Sequence, residues 1–195
     1  MKVIMATTNE NKVREIREML EGDDLEIISL KQAGISADIE ENGTTFEENA
    51  VIKAEAVRDL TNQAVIADDS GLEIDYLGGE PGIRSARFMG EDTSYDIKNA
   101  AILEKMKGAA GAERSARFVC AMAIAYPDRP TKVFRATFEG EIAYECKGSN
   151  GFGYDPILYL PELGCTSAEL SPEDKNRISH RGKALRLAAA ELKKL

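Results

Sequence analysis

The sequence predicts a mixed α/β fold in which a long twisted sheet is flanked by helices. Short apolar runs typical of strands alternate along the chain with segments in which apolar residues recur at helical spacing. At the start, the run "KVIMA" precedes the polar loop "TTNENK", and Val13, Ile16 and Leu20 then follow a helical pattern. No internal repeat, low-complexity segment or flexible linker interrupts the sequence, so we expect a single domain over residues 1–195.

Local sequence patterns predict the strands, the helix and the loop that follow the first helix in the first half of the chain. The run "LEIISL" is typical of a second strand. Thr45 and Glu48 form a capping-box pattern that starts a helix. The apolar stripe of this helix is Ala50, Ala54 and Val57. The stretch "AVIADDSGLEIDY" is predicted to be a strand, an acidic turn and another strand, followed by a glycine-rich loop.

The second half is predicted to contain helices at both ends and long strands between them. In the helix at residues 95–106, the positions predicted to face the core are Ile97, Ala100, Ala101 and Leu103. Large and small apolar residues alternate in "ARFVCAMAIAY", which indicates a strand buried on both faces. The stretch "KVFRATFEGEI" returns as a longer strand. The apolar stripe of the last helix is Leu185, Ala188, Ala189 and Leu192.

Composition and charge exclude several classes of protein. The net charge is −9, so the chain repels nucleic-acid phosphates on average and is not expected to bind DNA or RNA. No apolar run approaches the roughly 20 residues that span a bilayer. The N-terminus has no signal-peptide pattern, so we predict a cytoplasmic protein without membrane contact. The three cysteines form no CxxC pair and the chain has one histidine, which argues against structural zinc or a disulfide framework.

The loop "TTNENK" combines polar side chains with the expected start of a helix. It offers hydroxyl groups, amide groups and one positive charge, from Thr7, Thr8, Asn9, Asn11 and Lys12. Such groups at a helix N-terminus can hold phosphate oxygens together with backbone N–H groups. The loop lacks the GxxxxGK[ST] spacing of a P-loop. A helix that is simply capped by these side chains is the alternative interpretation.

The stretch "ADDSG" holds two adjacent carboxylates, Asp68 and Asp69, which cannot both enter an apolar core without partners. Because neighbouring side chains on a strand point in opposite directions, we expect one of them to face a cleft. Together with Glu40 and Glu41 they suit Mg²⁺, which prefers oxygen ligands. A carboxylate beside this metal can orient or deprotonate water. An aspartate-rich turn is the alternative.

The stretch "GFGYDP" at residues 151–156 packs two glycines, two aromatic residues, an aspartate and a proline into one turn. Glycine allows the backbone to approach a ligand closely, and proline stiffens the exit from the turn. The aromatic side chains could grip a flat ring. The alternative is a hairpin turn whose aromatic side chains fill the core.

Positive charge is concentrated near the C-terminus, in the stretch "DKNRISHRGK". Lys175 and Arg181 could neutralise a polyphosphate. His180 and Arg181 could donate hydrogen bonds to the keto oxygen of a purine, where adenine instead carries an amine donor. This arrangement would favour 6-keto purines over adenine. A solvated helix face is the alternative.

Five stretches, taken in their order along the chain, resemble one family. They are "TTNENK", "FEENAVIKA", "ADDSGLEIDYLGGEPGIRSAR", "GFGYDP" and "LSPEDKNRISHRGKAL", and the similarity extends over about residues 3–192. The family is that of the inosine/xanthosine triphosphate pyrophosphatases, or HAM1-like proteins. Its members hydrolyse the noncanonical purine nucleotides XTP, ITP and dITP to the monophosphate and pyrophosphate, which cleanses the nucleotide pool. The resemblance implies an elongated fold with two lobes around a central nucleotide-binding cleft, a homodimer and a requirement for Mg²⁺.

The resemblance also implies roles in phosphate and metal binding. Residues 7–12 would hold the triphosphate together with Lys53. Asp69 would be the catalytic proton acceptor and a Mg²⁺ ligand, with Glu40 as the second ligand. The alternatives for this second ligand are Glu41 and Asp68.

Further roles implied by the resemblance concern the nucleoside. Ser70 would touch the substrate beside the catalytic aspartate, and Lys175 would contact the nucleotide. The pocket for the base would be shaped by Phe152, Gly153, Tyr154 and Asp155. His180 and Arg181 would contact the keto edge of the base. The chain departs from the family's commonest form at Thr8, where glycine is usual, so backbone approach to the phosphates differs there.

Two other functions remain open. The related Maf-type pyrophosphatases share a similar fold and cleft but prefer modified pyrimidines, and the "SHR" and "FGYDP" stretches argue against them. A nucleotide-binding module without activity is the second, although the acidic pair and the basic cluster are both intact. The sequence does not show which of XTP, ITP and dITP is preferred. It also does not show whether ribose and deoxyribose are distinguished.

Overall fold

The structure, a computed structural model, describes residues 2–22 and 24–194. The strands are β1 (Lys2–Met5), β2 (Glu26–Ser29), β3 (Val65–Ile74), β4 (Ser115–Ala125), β5 (Lys132–Ile142), β6 (Leu158–Leu160) and β7 (Cys165–Thr166). The helices are α1 (Glu10–Met19), α2 (Phe46–Thr61), α3 (Tyr95–Lys105), α4 (Pro172–Ile178) and α5 (His180–Leu192). None of the helices in these ranges is both long and apolar enough to cross a membrane.

The strands form one seven-stranded sheet in the order β2-β1-β3-β4-β5-β6-β7. β1 runs parallel to β2 and to β3, with Val3 opposite Ile27 and Met5 opposite Ile66. β6 runs antiparallel to β5 and to β7. The predicted mixed α/β fold is therefore confirmed.

The chain divides into two compact units. The first contains residues 1–69, 120–136 and 181–195, and the second contains residues 70–119 and 137–180. The divisions fall inside β3, β4 and β5, and between the first two residues of α5. The expectation of one domain over residues 1–195 stays a prediction.

In the first unit, apolar residues of β1, β4, α1 and α5 form one core. Val3 on β1 and Val13 on α1 are fully buried. The predicted stripe of the last helix is also buried, at Leu185, Ala188, Ala189 and Leu192. Because full burial of an aliphatic side chain contributes about 1.5–3 kcal/mol, this core fixes α1 and α5 and the charged residues that they carry.

In the second unit, the core is formed around Leu72 of β3, Ile102 of α3, Phe118 of β4 and Phe138 of β5. Tyr154 packs into the same core. Along β4, nearly every residue is buried, as the alternation of large and small apolar residues predicts. This packing positions the loops that follow β5.

The buried face of α3 differs from the prediction. The positions predicted to face inward are exposed at Ile97 and Ala100 and half-buried at Ala101 and Leu103. The fully buried residues are Lys98, Asn99 and Ile102. Lys98 donates to the carbonyl of Ala86, and Asn99 donates to the carbonyl of Gly153. Two polar residues can therefore occupy the inner face, because each has a hydrogen-bond partner there.

β3 is one continuous strand, so the predicted division at "ADDSG" into strand, turn and strand is wrong. Asp68 and Asp69 lie within β3. Each carboxylate has a cationic partner, Lys12 for Asp68 and Lys53 for Asp69, which offsets the cost of burying charge inside a sheet. The alternative of an aspartate-rich turn is thereby excluded.

Candidate active site

α1 begins at the polar loop that is predicted to hold phosphate. Asn9 is the N-cap residue, and its Oδ1 accepts hydrogen bonds from the backbone N–H groups of Asn11 and Lys12. The hydroxyl of Thr7 accepts a hydrogen bond from the N–H of Asn9. Thr8, Asn9 and Asn11 are exposed. The capped-helix interpretation is confirmed, and phosphate binding by the same exposed groups stays a prediction.

Asp68 and Asp69 are adjacent on β3, so their side chains leave opposite faces of the strand. Lys12 Nζ lies 2.9 Å from Asp68 Oδ2. Lys53 Nζ lies 3.8 Å from Asp69 Oδ1 and 3.2 Å from Glu41 Oε2. We call these five residues the carboxylate–lysine cluster. All of them belong to the first unit.

Burial, and to a smaller extent the charges of this cluster, shift the pKa of Asp69. Its side chain is buried, with 7% of the residue surface exposed. Burial raises the pKa of Asp69 to about 6, while Lys53 and Lys12 oppose the rise and Glu41 and Asp68 add to it. A carboxyl whose pKa lies near neutrality is suited to accept and release a proton, as a general base must.

The donor set of the cluster fits a hard divalent cation. Within residues 2–22 and 24–194, no three Asp, Glu, His or Cys side chains form a ready-made metal cage. Mg²⁺ does not need one, because in phosphoryl-transfer sites it is bound by one or two carboxylates together with substrate phosphates. Glu41 lies in the cluster with Asp69, whereas Glu40 is exposed, so the geometry favours Glu41 as the second carboxylate. The choice of Glu40 stays a prediction.

Arg181 approaches the cluster at Asp68. Its guanidinium pairs with Glu15 of α1, and its Nε lies 3.8 Å from Asp68 Oδ2. Burial disfavours the charge of Arg181, but Glu15 and Asp68 outweigh this effect and raise its pKa. The side chain is thus held by two carboxylates, and its contact with the keto edge of a base stays a prediction. Sequence reasoning missed Glu15, a charged position beside the core residue Ile16.

Asn49 on α2, also missed by sequence reasoning, holds the acidic loop at residues 38–45, which carries Glu40 and Glu41. Its Oδ1 accepts a hydrogen bond from the N–H of Gly43 at 2.8 Å. A side chain on Gly43 would bring its Cβ within 2.7 Å of the same oxygen. Thr44 donates from both its backbone N–H and its hydroxyl to Glu48 Oε2. The loop that carries Glu41 is therefore attached by these bonds to the first turn of α2.

The turn at residues 152–155, which belongs to the second unit, uses its two aromatic residues differently. Tyr154 is buried, and its hydroxyl donates to the carbonyl of Ser85 at 2.6 Å. Phe152 is half-buried, and Lys175 Nζ lies 4.9 Å from the centre of its ring. The core-filling interpretation is therefore correct for Tyr154. Stacking of Phe152 on a base stays a prediction.

Asp155 organises this turn from the inside. Its Oδ2 accepts hydrogen bonds from the N–H of Phe152 at 2.9 Å and from Lys175 Nζ at 2.7 Å. Its Oδ1 accepts a hydrogen bond from the hydroxyl of Ser167 at 2.7 Å. Gly151 has φ +71°, and a Cβ there would lie 2.1 Å from Asp155 Oδ2, so only glycine fits. Asp155 shapes the turn, and the contacts of Asp155 and Lys175 with a nucleotide stay predictions.

His180 is buried against aromatic side chains of the second unit. Its ring is nearly parallel to that of Phe138, at 17° and 6.4 Å, and lies 5.0 Å from that of Phe118. Ser70 directly follows Asp69 on β3 and is half-buried. The predicted substrate contacts of His180 and Ser70 stay predictions.

The fold and the cluster define an α/β protein whose buried carboxylates are paired with lysines of the kind that bind phosphate groups. The chain belongs to the Ham1 family, which it matches over residues 3–191. A dITP/XTP pyrophosphatase of Bacillus licheniformis is 50% identical, over 98% of this chain and 97% of that protein. The solved structure of the Staphylococcus aureus Ham1 protein is 43% identical with a TM-score of 0.89, and the match covers 100% of this chain and 99% of that one. The HAM1 protein from Coxiella burnetii is 38% identical with a TM-score of 0.90, over 100% of both chains.

Proposed function

We propose that this chain is a Mg²⁺-dependent nucleoside triphosphate pyrophosphohydrolase that converts XTP, ITP and dITP to the monophosphate and pyrophosphate. The observation that carries the proposal is the buried carboxyl of Asp69, which lies beside Lys53 and within electrostatic reach of Lys12. The Bacillus licheniformis relative, which matches over nearly the full length of both chains, is named a dITP/XTP pyrophosphatase, and this name supports two of the three substrates. The activity would remove damaged purines from the nucleotide pool.

The lysines and the carboxylates of the carboxylate–lysine cluster have different roles in the proposed hydrolysis. Hydrolysis between the α and β phosphates needs an in-line water, neutralised charge and a held leaving group. Lys12 and Lys53 neutralise phosphate charge, and Asp69 orients the attacking water and accepts its proton at a carboxylate oxygen. Asp69, with Glu41 or Glu40, would hold Mg²⁺, which would supply further neutralisation of the phosphate charge. No covalent nucleophile is required.

The purine base binds at the 152–155 turn in this proposal. The half-buried ring of Phe152 offers a surface for stacking, and glycine at position 153 lets the backbone pass close to the base. His180 and Arg181 donate hydrogen bonds to the 6-keto oxygen, and Lys175 contacts the nucleotide. The proposal further includes a cytoplasmic homodimer with two lobes around a nucleotide-binding cleft, which rests on the sequence and the family resemblance.

Pyrophosphate release tests the proposal directly. The purified chain with Mg²⁺ is expected to release pyrophosphate from ITP, XTP and dITP and to leave the monophosphate. Retention of ITP without turnover would instead identify a nucleotide-binding module. Faster turnover of modified pyrimidine triphosphates than of any of the three purines would favour a Maf-type enzyme.

Removal of the metal is expected to abolish this activity. The proposed ligands are all oxygens and the substrate is a polyphosphate, so the reaction needs a hard cation. Pyrophosphate release from ITP, measured in excess chelator and again after Mg²⁺ is restored, checks this expectation. Full activity in excess chelator would contradict the metal-assisted mechanism.

Arg181→Ala is expected to slow the hydrolysis of ITP more than that of ATP. A donor aimed at the keto oxygen gains a hydrogen bond with ITP but meets an amine donor in ATP. Loss of this donor should therefore lower the ratio of kcat/KM for ITP to kcat/KM for ATP by about tenfold. Because the ratio is taken within one variant, it does not depend on how much of the protein is folded after the pair with Glu15 is broken.

The matched control for this experiment is Arg129→Ala, which removes an arginine from an exposed ion pair with Asp128 in the same unit. This control should leave the ratio unchanged. Equal proportional losses for ITP and ATP in Arg181→Ala would show that Arg181 serves the phosphates or the fold, and its role in reading the base would be abandoned.

A further inference from the structure

Two residues of α3 contact the 152–155 turn from the same side of the helix. Tyr95 and Asn99 are separated by about one helical turn, so their side chains share a face. Asn99 Nδ2 donates to the carbonyl of Gly153 at 3.2 Å. The ring of Tyr95 lies edge to face against that of Tyr154, with centroids 5.2 Å apart and an interplanar angle of 88°. α3 therefore holds the centre of the turn.

Asn99 is buried with its amide nitrogen bonded to the Gly153 carbonyl and its amide oxygen unsatisfied. The residue is 2% exposed. Its Oδ1 accepts no hydrogen bond from residues 2–22 or 24–194. A buried amide oxygen without a donor is unfavourable, and a leucine of similar size would avoid the penalty. The presence of asparagine is explained if its amide donor is needed at Gly153.

The Gly153 carbonyl belongs to the residue of the 152–155 turn with the most intrinsic backbone freedom. Other hydrogen bonds fix the groups on either side: the Tyr154 hydroxyl bonds to a backbone carbonyl, and the Phe152 N–H bonds to Asp155. Gly153 itself has φ +66°, in the left-handed region, and glycine has more backbone freedom than any other residue. The bond from Asn99 therefore restrains the residue with the least intrinsic restraint, directly after Phe152.

We propose that Asn99 is a positioning residue for base selection, because by holding the Gly153 carbonyl it sets the orientation of the Phe152 ring on which the purine stacks. The inference rests on the function proposed above. The plane of the stacked base decides whether its 6-keto oxygen meets the donors that read it. A tilted ring therefore removes bonds that ITP makes and ATP never makes, and the selectivity falls.

Removal of the amide donor tests this role. Asn99→Asp and Asn99→Leu both remove the donor, the first with a new charge and the second without one. We expect each to raise KM for ITP more than it lowers kcat, because stacking is made in the ground state and in the transition state alike. The ratio of kcat/KM for ITP over ATP should fall by about tenfold, the effect expected when a hydrogen bond to the 6-keto oxygen is lost.

Two further variants complete the experiment. Asn99→Gln keeps an amide donor on a longer side chain and should recover part of the ratio. Asn62→Asp makes the same exchange at an exposed residue, the C-cap of α2, where the left-handed backbone also accepts aspartate, and it should leave the ratio unchanged. Thermal unfolding of every variant, followed by circular dichroism, separates loss of stability from loss of selectivity.

The outcomes are distinguishable. Proportional losses for ITP and ATP in both donor-free variants, or a lower unfolding temperature with an unchanged ratio, would overturn the inference and leave Asn99 as a residue of the fold. A wild-type chain that releases no pyrophosphate from ITP would overturn the proposed function, and the inference with it.

Discussion

Asp69→Asn is expected to lower the turnover of ITP by about 10²-fold or more, because positioned general bases contribute about 10²–10⁴-fold to catalysis. Asparagine keeps the size of the side chain and its ability to hydrogen-bond, but it cannot accept a proton from water or bind a metal with negative charge. Folding should be little changed, since the exchange removes a charge that burial already disfavours. Initial rates of pyrophosphate release from ITP measure the effect.

Two further variants separate the role of Asp69 from a general effect of the exchange and from the role of its neighbour. Asp128→Asn makes the same exchange in an exposed ion pair with Arg129 and should leave turnover unchanged. Asp68→Asn probes the neighbouring carboxylate, which pairs with Lys12 on the other face of β3. Near-normal turnover in Asp69→Asn would rule out the role assigned to it. A large loss in Asp68→Asn alone would transfer that role to Asp68.

The sequence predicts an element best where its local pattern and its tertiary contacts agree. The stripe of α5 and the alternation in β4 are regular, and both are buried as expected. The inner face of α3 is different, because Lys98 and Asn99 find their partners at Ala86 and Gly153, which are distant in sequence. A helical period of apolar residues carries no information about such partners, so the apolar pattern of α3 predicts the wrong face.

The same reasoning explains what could be predicted of the candidate site. Lys12 pairs with Asp68 and Lys53 with Asp69, a placement that the local pattern does not decide, because it fits a carboxylate in a cleft and an aspartate-rich turn equally well. The pair of Glu15 with Arg181 joins residues 166 positions apart, which no local motif reports. The choice between adjacent glutamates in the acidic loop depends on which side chain the loop turns toward Lys53, and the bond between Asn49 and Gly43 helps to set this.

Asp155→Asn is expected to destabilise the protein by about 3–5 kcal/mol, because Lys175 loses its carboxylate partner while it remains buried. The two residues are only 2% and 4% exposed, so water replaces little of the lost interaction. For a chain of this size, the loss corresponds to a decrease of roughly 6–20 °C in the unfolding temperature, at about 2–4 °C for each kcal/mol. Urea unfolding followed by circular dichroism gives the free energy directly.

A double-mutant cycle separates this ion pair from the other bonds of Asp155. Lys175→Met should cost less than Asp155→Asn, because Asp155 would still accept hydrogen bonds from Phe152 and Ser167. The double variant should be more stable than the sum of the two losses predicts, since both members of the ion pair are then removed together. Asp174→Asn, in an exposed pair with Arg177 on the same helix as Lys175, is the matched control and should change stability little. Additive losses in the cycle would show that Asp155 stabilises the turn through its bonds to Phe152 and Ser167 and not through its pair with Lys175.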